Sequence, residues 1–216
     1  MKKNSKLITL ALILTFTLCG VAYAAWTDQL FINGDVKTGS FAMKWIDNTG
    51  YPKIIGDQGH LMDVSIEQVD DHHTRVTLSN VYPGAVGKFD VLAQNAGSIP
   101  VKFQNADVIF DNPNDPAIAY LNAWGDFVAD ENNDNHQDKW GHFNKVLLQN
   151  FDDEMNSNAY LAQVVLQPGG WISFNKDAGD PKDNCIYIEL DPSAPNAAEG
   201  KTIGFTLVTN WKQFNQ

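Results

Sequence analysis

The sequence predicts an all-β protein, a mostly antiparallel sandwich of roughly nine short strands with one helical and loop insert. Three observations support this fold class. Apolar and polar residues alternate with a period of two in many short segments, clusters of Gly, Pro, Asn and Asp separate these segments, and helical spacing is confined to one part of the chain. Because parallel strands need helical crossovers, which are scarce here, we expect antiparallel pairing.

The first 24 residues have the composition of a secretory signal peptide. Its parts are, in order, three lysines, an apolar run and a small-residue cleavage motif: Lys2, Lys3, Lys6, Leu7–Leu18, Ala22 and Ala24. Cleavage there leaves Ala25 as the first residue of a single domain, 25–216. The apolar run is shorter than the roughly 20 residues of a membrane-spanning helix, so we expect no stable membrane anchor after cleavage. Lipidation of Cys19 is a minor alternative.

The negative net charge of the chain restricts the classes of partner that it can bind. The 216 residues carry a formal net charge of −11, and loss of the three leader lysines makes it −14. Because phosphate binding needs a basic face, we expect no nucleic-acid partner. The remaining cysteine, Cys185, has no second thiol for an internal disulfide. We expect a small buried hydrophobe there, and a dimer-forming or reactive thiol is the alternative.

The segment 76–110 predicts the strands around which the rest of the chain is organised. Its three alternating runs are joined by two turns, in which Pro fixes one backbone angle and Gly permits a positive one. The same alternation predicts two earlier strands. In chain order these elements are strands at 41–45, 62–67 and 76–79, the turn Tyr82-Pro83-Gly84, a strand at 88–94, the turn Asn95-Ala96-Gly97-Ser98, and a strand at 99–104.

Residues 111–158 predict the insert. Asp115-Pro116 has the residue types of a helix start, and apolar residues between Ala117 and Val128 recur at helical spacing, which indicates an amphipathic helix of about three turns. A second apolar series, from Trp140 to Phe151, indicates another short helix or an irregular segment. Strands then resume, at 160–167, 171–174, 186–190 and 203–207.

Three motifs in the organising segment carry a family resemblance. In order they are Leu78-Ser79-Asn80, Tyr82-Pro83-Gly84 and Asn95-x-Gly97-Ser98-Ile99-Pro100-Val101. This order resembles the secreted TasA/camelysin group of biofilm-matrix fibre proteins, which are exported with a dedicated SipW-type signal peptidase. The resemblance covers about half of the chain. It implies a jelly roll with the insert at one end, a location in the extracellular matrix or on the cell surface, and self-association into fibres.

The residues after the cleavage motif extend the resemblance. Ala25-Trp26-Thr27-Asp28 places an aromatic residue and Thr-Asp directly behind the leader, with Leu30 and Ile32 alternating beyond them. In fibre-forming members of the group this freed segment completes the sheet of the next subunit. An extended peptide can do so because a sheet edge presents unpaired N–H and C=O groups. Residues 25–36 are therefore the predicted donor strand, and pairing within their own domain is an equal alternative.

An acidic loop predicts a calcium site. Its oxygen-bearing residues match positions 1, 3, 5 and 9 of a calcium loop, and calcium takes about six to eight such ligands. They are Asp130, Asn132, Asp134 and Asp138. Asn135 replaces the usual glycine and tolerates the left-handed conformation, whereas Gly141 replaces the bidentate Glu. A solvated polar loop is the alternative, and no other cofactor is expected.

No catalytic pattern emerges from the sequence. It contains no His-Glu-x-x-His, no Gly-x-Ser-x-Gly and no phosphate-binding glycine loop, so a protease activity described for some relatives is not carried over. We expect a structural protein rather than an enzyme. The runner-up function is a monomeric secreted module that binds calcium or a glycan, with some of the six tryptophans stacking on sugars. Tryptophans that cover core or edges are the competing interpretation.

Overall fold

A computed structural model describes residues 9–15, 39–46, 53–55, 62–71, 73–174 and 185–215, with only the backbone described at 53–55. It divides into two units, 1–38 and 39–216. In the first unit, helix α1 comprises residues 9–15. Its apolar side chains Leu10, Leu12, Ile13 and Leu14 are 54–58% exposed. Within the described residues no helix has the length and apolar character needed to cross a membrane.

Strands are the main regular elements in the described part of the second unit. These are β1 (Met43–Ile46), β2 (Lys53–Ile55), β3 (Asp63–Gln68), β4 (Thr74–Val81), β5 (Val86–Phe89), β6 (Leu92–Asn95), β7 (Val101–Phe110), β8 (Leu121–Asp130), β9 (Lys139–Leu147), β10 (Val165–Leu166), β11 (Trp171–Ser173), β12 (Ile186–Leu190) and β13 (Lys201–Gln213). Helix α2 is Phe151–Ser157, and 3-10 turns occupy Ile118–Tyr120, Leu148–Asn150, Leu161–Gln163 and Asn196–Ala198.

The strands form two antiparallel sheets. In the second sheet the order is β10, β7, β13, β4, β3. In the first sheet β8 has β9 along one edge, while β12 and β11 follow each other along its other edge. Outside them β5 pairs with β12 and β6 with β11, and the sheet ends with β2 on β5 and β1 on β6. The first sheet therefore has five lines of strand, three of which are interrupted midway.

The strand pairings define a jelly roll. The outermost pair in the chain is β4 with β13. Inside it, β5 pairs with β12 and β6 with β11, then β7 pairs with β10, and the innermost pair is β8 with β9. Such nested pairs are those of one long hairpin rolled up into two packed sheets. The predicted fold class, an all-β antiparallel jelly-roll sandwich, is confirmed. Strand β3 and the line of β1 and β2 extend the two sheets at one side.

The core between the sheets is rich in phenylalanine. Phe143 is fully buried, with ring centroids 5.4 Å from Phe127, 5.4 Å from Phe151 and 6.2 Å from Phe174. Phe89 and Phe205 meet edge to face at 6.0 Å. Each buried phenylalanine contributes about 1.5–3 kcal/mol through apolar burial. The inward residues that supply this core come from both sheets, as the period-two pattern requires.

The organising segment forms four strands where three were predicted, because its middle run is divided into β5 and β6, which pair with β12 and β11 respectively. The two turns lie where they were predicted, and the contacts of the second turn explain its residues. Asn95 is fully buried, its Nδ2 donates to Ile99 O and Leu166 O, and its Oδ1 accepts from Gly97 N. A Cβ on Gly97 would lie 2.4 Å from Ser40 O, so the turn needs glycine to let residue 40 approach. Asn95 and Gly97 thereby tie β6 to β10 and to the segment that precedes β1.

The prediction of a helix between Ala117 and Val128 is wrong, because residues Leu121–Asp130 form strand β8. Their burial alternates at first, with Leu121, Ala123 and Gly125 inside the sandwich. This alternation is not visible in the sequence, because the apolar Trp124 lies on the outer face, where it stacks on Tyr187 at a centroid distance of 5.4 Å. An apolar residue on each face of a strand imitates helical spacing.

The second predicted apolar segment is also largely strand, since Lys139–Leu147 form β9. A register shift places Phe143 opposite Gly125 but Val146 opposite Ala123. One extra residue on β9 therefore sets two inward side chains three positions apart, which resembles a helix in sequence. Short helical elements do occur within 111–158, chiefly α2. Strands β8 and β9, which lie in the same range, belong to the jelly roll.

Candidate functional site

The predicted calcium loop is the connection of the β8–β9 hairpin and not a helix–loop–helix. Asp130, at the end of β8, is fully buried, and both carboxylate oxygens accept backbone hydrogen bonds. Oδ1 accepts from Asp134 N at 3.1 Å and Oδ2 from Asn135 N at 2.8 Å. The carboxylate of Asp130 thus holds the loop in its turn.

The next two predicted ligands lie in the same turn and bond to each other. Asn132 Oδ1 accepts from Asp134 N at 3.1 Å, and Asn132 Nδ2 donates to Asp134 Oδ2 at 3.1 Å. Asp134 Oδ1 accepts from His136 N at 2.9 Å. Asn133 and Asn135 have φ of 59° and 67°, the left-handed region that asparagine tolerates. These contacts are the local turn bonds typical of Asx residues.

The fourth predicted ligand, Asp138, closes the loop. Its Oδ2 accepts from Glu131 N at 2.8 Å. The structure therefore gathers Asp130, Asn132 and Asp134 in one turn, with Asp138 where the loop returns to β9. Among the described residues, no group of three or more His, Cys, Asp or Glu is placed to hold a metal ion. Calcium binding stays a prediction.

Helix α2 covers the outer edge of β7 at the side of the sandwich. Asn156 Oδ1 accepts from Ala106 N at 2.7 Å, and Asn156 Nδ2 donates to Ala106 O at 3.0 Å. Ala106 is fully buried on β7. A side-chain amide carries the same donor and acceptor as a peptide group. Asn156 therefore meets β7 in the way that a neighbouring strand would.

The same helix and the residue after it reach the outer edge of β9 in the other sheet. Glu154 Oε1 accepts from Asn144 N at 2.8 Å, and Asn158 Nδ2 donates to His142 O at 2.9 Å. Phe151 and Met155 anchor α2 in the core. Because α2 bonds to β7 and to β9, we call this the helix-closed side. Sequence patterns did not reveal this role.

At the opposite side, β1 is bonded to the turn that joins β3 and β4. Trp45 N donates to Asp71 O at 2.8 Å, and Gln68 Nε2 donates to Trp45 O at 2.9 Å. The ion pair of Lys44 Nζ and Asp71 Oδ2, at 2.8 Å, reinforces this link. The two sheets are thus joined at β1 by side chains and one backbone bond.

Strand β3 is the last strand of the second sheet on this side. Val69 N donates to His73 O at 2.9 Å, and antiparallel pairs alternate, so the N–H and C=O groups of Val64, Ile66 and Gln68 face away from β4. Asp63 Oδ1 accepts from Val64 N at 3.0 Å. Among the described residues no strand pairs with these groups, which we call the β3 outer edge.

Several sequence predictions fall on residues that the structure leaves undescribed. The cleavage residues Ala22, Ala24 and Ala25 and the donor strand 25–36 lie outside the described ranges. Cys185 is described: it is buried, at 6% exposure, and forms no disulfide with any described residue.

The tryptophans divide into buried and exposed members. Trp45 and Trp211 are in the core. Trp124 has Tyr187 stacked on one face, with 8° between the ring planes, and Lys145 Nζ lies 4.7 Å from its ring centroid. Trp140 is 61% exposed on β9. Trp124 therefore has an aromatic and a cationic neighbour where a sugar ring would need to stack.

The fold and its edges define the class of the protein: an antiparallel jelly-roll sandwich with one side closed by a helix. Comparison of the chain with protein-family models, with curated proteins and with solved structures finds no match. The TasA/camelysin resemblance consequently stays a prediction.

Proposed function

We propose that the protein is a secreted structural component of an extracellular or biofilm matrix, or of the cell surface, that assembles into fibres by N-terminal strand exchange. The observation that supports this proposal is the difference between the two sides of the sandwich. On the helix-closed side, side chains occupy the backbone groups of β7 and β9. Strand β3 presents outward N–H and C=O groups that an extended segment can satisfy.

The proposed donor is the segment 25–36 of a neighbouring molecule. Its Leu30 and Ile32 are two positions apart, so both face the same side of an added strand. Next to β3 they extend the inward row of Val64, which is buried, and Ile66, which is partly buried. Apolar contact and backbone hydrogen bonds then act together, as they do in other cases of strand addition.

Export and processing precede assembly in this proposal. A SipW-type signal peptidase cuts between Ala24 and Ala25 and frees the donor. The helix α1, residues 9–15, lies within the predicted apolar core of the leader, and its exposed leucines suit the apolar region that such leaders need. Until the cut, the donor stays joined to that apolar leader.

Electron microscopy of the secreted protein tests the mechanism. We expect fibres from the full secreted chain and none from a chain without residues 25–36. Fibres that persist after this deletion contradict the donor-strand mechanism.

A second pair of variants tests the acceptor edge. Ile66→Pro removes an outward N–H that β4 does not use, whereas Ile66→Ala keeps that N–H and removes most of the side chain. We expect Ile66→Pro to abolish fibres and Ile66→Ala to retain them. Thermal unfolding of both variants establishes that the monomers are folded, and equal fibre formation by the two refutes β3 as the acceptor.

Calcium binding by the acidic loop is the second candidate, favoured by the gathering of Asp130 and Asp134 oxygens in one turn. The expected affinity is that of extracellular modules, about millimolar. Calorimetry with calcium chloride tests it, with Asp134→Ala as the variant and Asp153→Ala, an exposed aspartate on α2, as the control. No heat, or equal heat from both variants, removes the site.

A further inference from the structure

A polar cavity of about 120 Å³ lies on the second sheet, beside the loop that follows β7. Its walls come from β4, β13 and that loop. The polar side chains that line it are Arg75, Thr77, Asp111, Asn112, Asp115 and Thr202. A single water needs about 10–15 Å³, so the cavity has room for several waters or for part of a small ligand.

One wall is built around an ion pair that requires a glycine. Arg75 Nη2 donates to Asp111 Oδ2, and Asp111 N donates to Gly204 O at 2.9 Å. A Cβ on Gly204 would lie 2.0 Å from Asp111 Oδ2. Because Gly204 has no side chain, the Asp111 carboxylate can contact the backbone of β13 at this position. The cavity is thus a shaped feature of the sandwich face.

The guanidinium that lines the cavity has a donor left over. Arg75 Nε is buried and, within the described part of the chain, has no hydrogen-bond partner. Leaving a buried donor unsatisfied is unfavourable, so this part of the cavity wall is polar without being fully hydrogen-bonded. The Nη2 group of the same side chain is already engaged by Asp111. A guanidinium carries five N–H groups, so Arg75 has donors beyond the one that Asp111 accepts.

The mixed chemistry of the walls selects the class of ligand. Arg75 and the Asn112 amide donate, Asp111 and Asp115 accept, and the hydroxyl of Thr77 does both. One guanidinium against two carboxylates gives a formal charge of −1, which disfavours an anion, while Arg75 disfavours a metal cation. Sugar hydroxyls donate and accept at once and carry no charge. We propose that this cavity binds one sugar ring of a neutral glycan.

This site is independent of the fibre proposal. It uses side chains on the face of β4 and β13, whereas strand addition uses the backbone groups of β3. Its size limits recognition to a single ring, and hydrogen bonds without a stacking partner give weak binding. Arg75 is unsuitable as a test variant because its loss leaves Asp111 without its cation.

The test is saturation-transfer NMR on the purified protein with the methyl glycosides of glucose, galactose, mannose and N-acetylglucosamine at millimolar concentration. Two variants alter the walls: Thr77→Val removes a hydroxyl, and Asp115→Asn replaces an acceptor while keeping the Oδ1 that accepts from Ala117 N. Thr206→Val, on β13 outside the cavity, is the matched control. Inorganic phosphate is titrated as the competing anionic probe.

We expect at least one glycoside to bind, each wall variant to weaken it by about fivefold or more, and Thr206→Val to leave it unchanged. Melting curves identify any variant that fails to fold, and Asp115→Asn then decides in place of Thr77→Val. The proposal is overturned if none of the four glycosides binds, if binding survives both wall variants, or if phosphate binds in place of the sugars.

Discussion

The two sides of the sandwich handle their strand edges in different ways. On the helix-closed side, Asn156 bonds to both backbone groups of Ala106, and Glu154 accepts from Asn144 N. On the other side, β3 has exposed acidic side chains, Asp63 and Glu67, beside its outward backbone groups. Charged residues at an edge discourage unplanned pairing without occupying the hydrogen bonds.

This difference shows what a side chain can and cannot do for an edge. An amide that bonds to a strand at donor and acceptor leaves nothing for an incoming strand at that residue. A carboxylate beside the edge only raises the energy of approach, and salt, protons or a favourable apolar contact can offset that cost. On the helix-closed side, the contacts of α2 thus occupy backbone groups of β7 and β9, whereas at β3 charged side chains only lie beside the outward groups.

The largest expected effect comes from removing the anchor of α2. Phe151 is buried against Phe143, with ring centroids 5.4 Å apart. We expect Phe151→Ala to lower the free energy of unfolding by about 3–5 kcal/mol, because it leaves a cavity in the core. Urea denaturation measures this loss. Aggregation that no longer needs residues 25–36 is expected as well, since α2 then protects β7 and β9 poorly, and aggregation that still needs them contradicts the capping role.

A smaller effect is expected at the cap itself. Asn156→Ala leaves the buried N–H and C=O of Ala106 without these partners, which costs about 1–3 kcal/mol. Hydrogen exchange at the Ala106 amide should accelerate, because its acceptor is gone. Asn156→Asp keeps an acceptor for that amide and is the matched control. Equal protection of Ala106 in wild type and Asn156→Ala would contradict the capping role.

The acidic edge predicts an effect of ionic strength on assembly. The proposed donor carries Asp28 and Asp35, and the edge carries Asp63 and Glu67, so like charges meet when the strand adds. At about 0.1 M salt the screening length falls to about 10 Å, so we expect faster fibre growth than at low salt. Light scattering follows the growth. The variant Glu67→Gln should weaken the salt dependence, and an unchanged dependence refutes the charge argument.

The smallest expected effect is a change in the pKa of Asp191, a carboxylate directly after β12. Hydrogen bonds from the Ser193 hydroxyl and backbone N–H, at 2.6 and 2.8 Å, lower the pKa of Asp191 from its ordinary value of 3.8. A lowered pKa stabilises the fold above pH 3.8, and this contribution disappears as pH falls through the folded pKa. We expect Ser193→Ala to raise the pKa of Asp191, measured by NMR titration. An unchanged pKa contradicts this cause.

Local patterns predicted strands such as β4 and failed at β8 and β9. They also failed at 160–167, where only Val165–Leu166 form a strand. The alternation in β4 is clear, since Val76 and Leu78 are buried while Thr77 and Ser79 face outwards. In β8 the outward Trp124 removes this contrast. In β9 the extra residue before Val146 changes the phase of the pattern. Period analysis assumes a regular strand, and the bulge breaks that assumption.

The acidic loop and the helix cap separate what the sequence can and cannot reveal about a site. Asp130, Asn132 and Asp134 are neighbours in sequence, so their meeting in one turn was predictable from spacing. Asn156 and Ala106 are 50 residues apart, and their contact follows from the packing of α2 on β7. No local signal marks such a contact, because it depends on how the sheets are ordered.

The placement of α2 has a consequence for the architecture of any polymer. In the proposed fibre, each molecule would accept its neighbour on the opposite flank, because β7 and β9 are already engaged by the helix. Growth from such a subunit is linear and unbranched, and the filament stays one protomer wide.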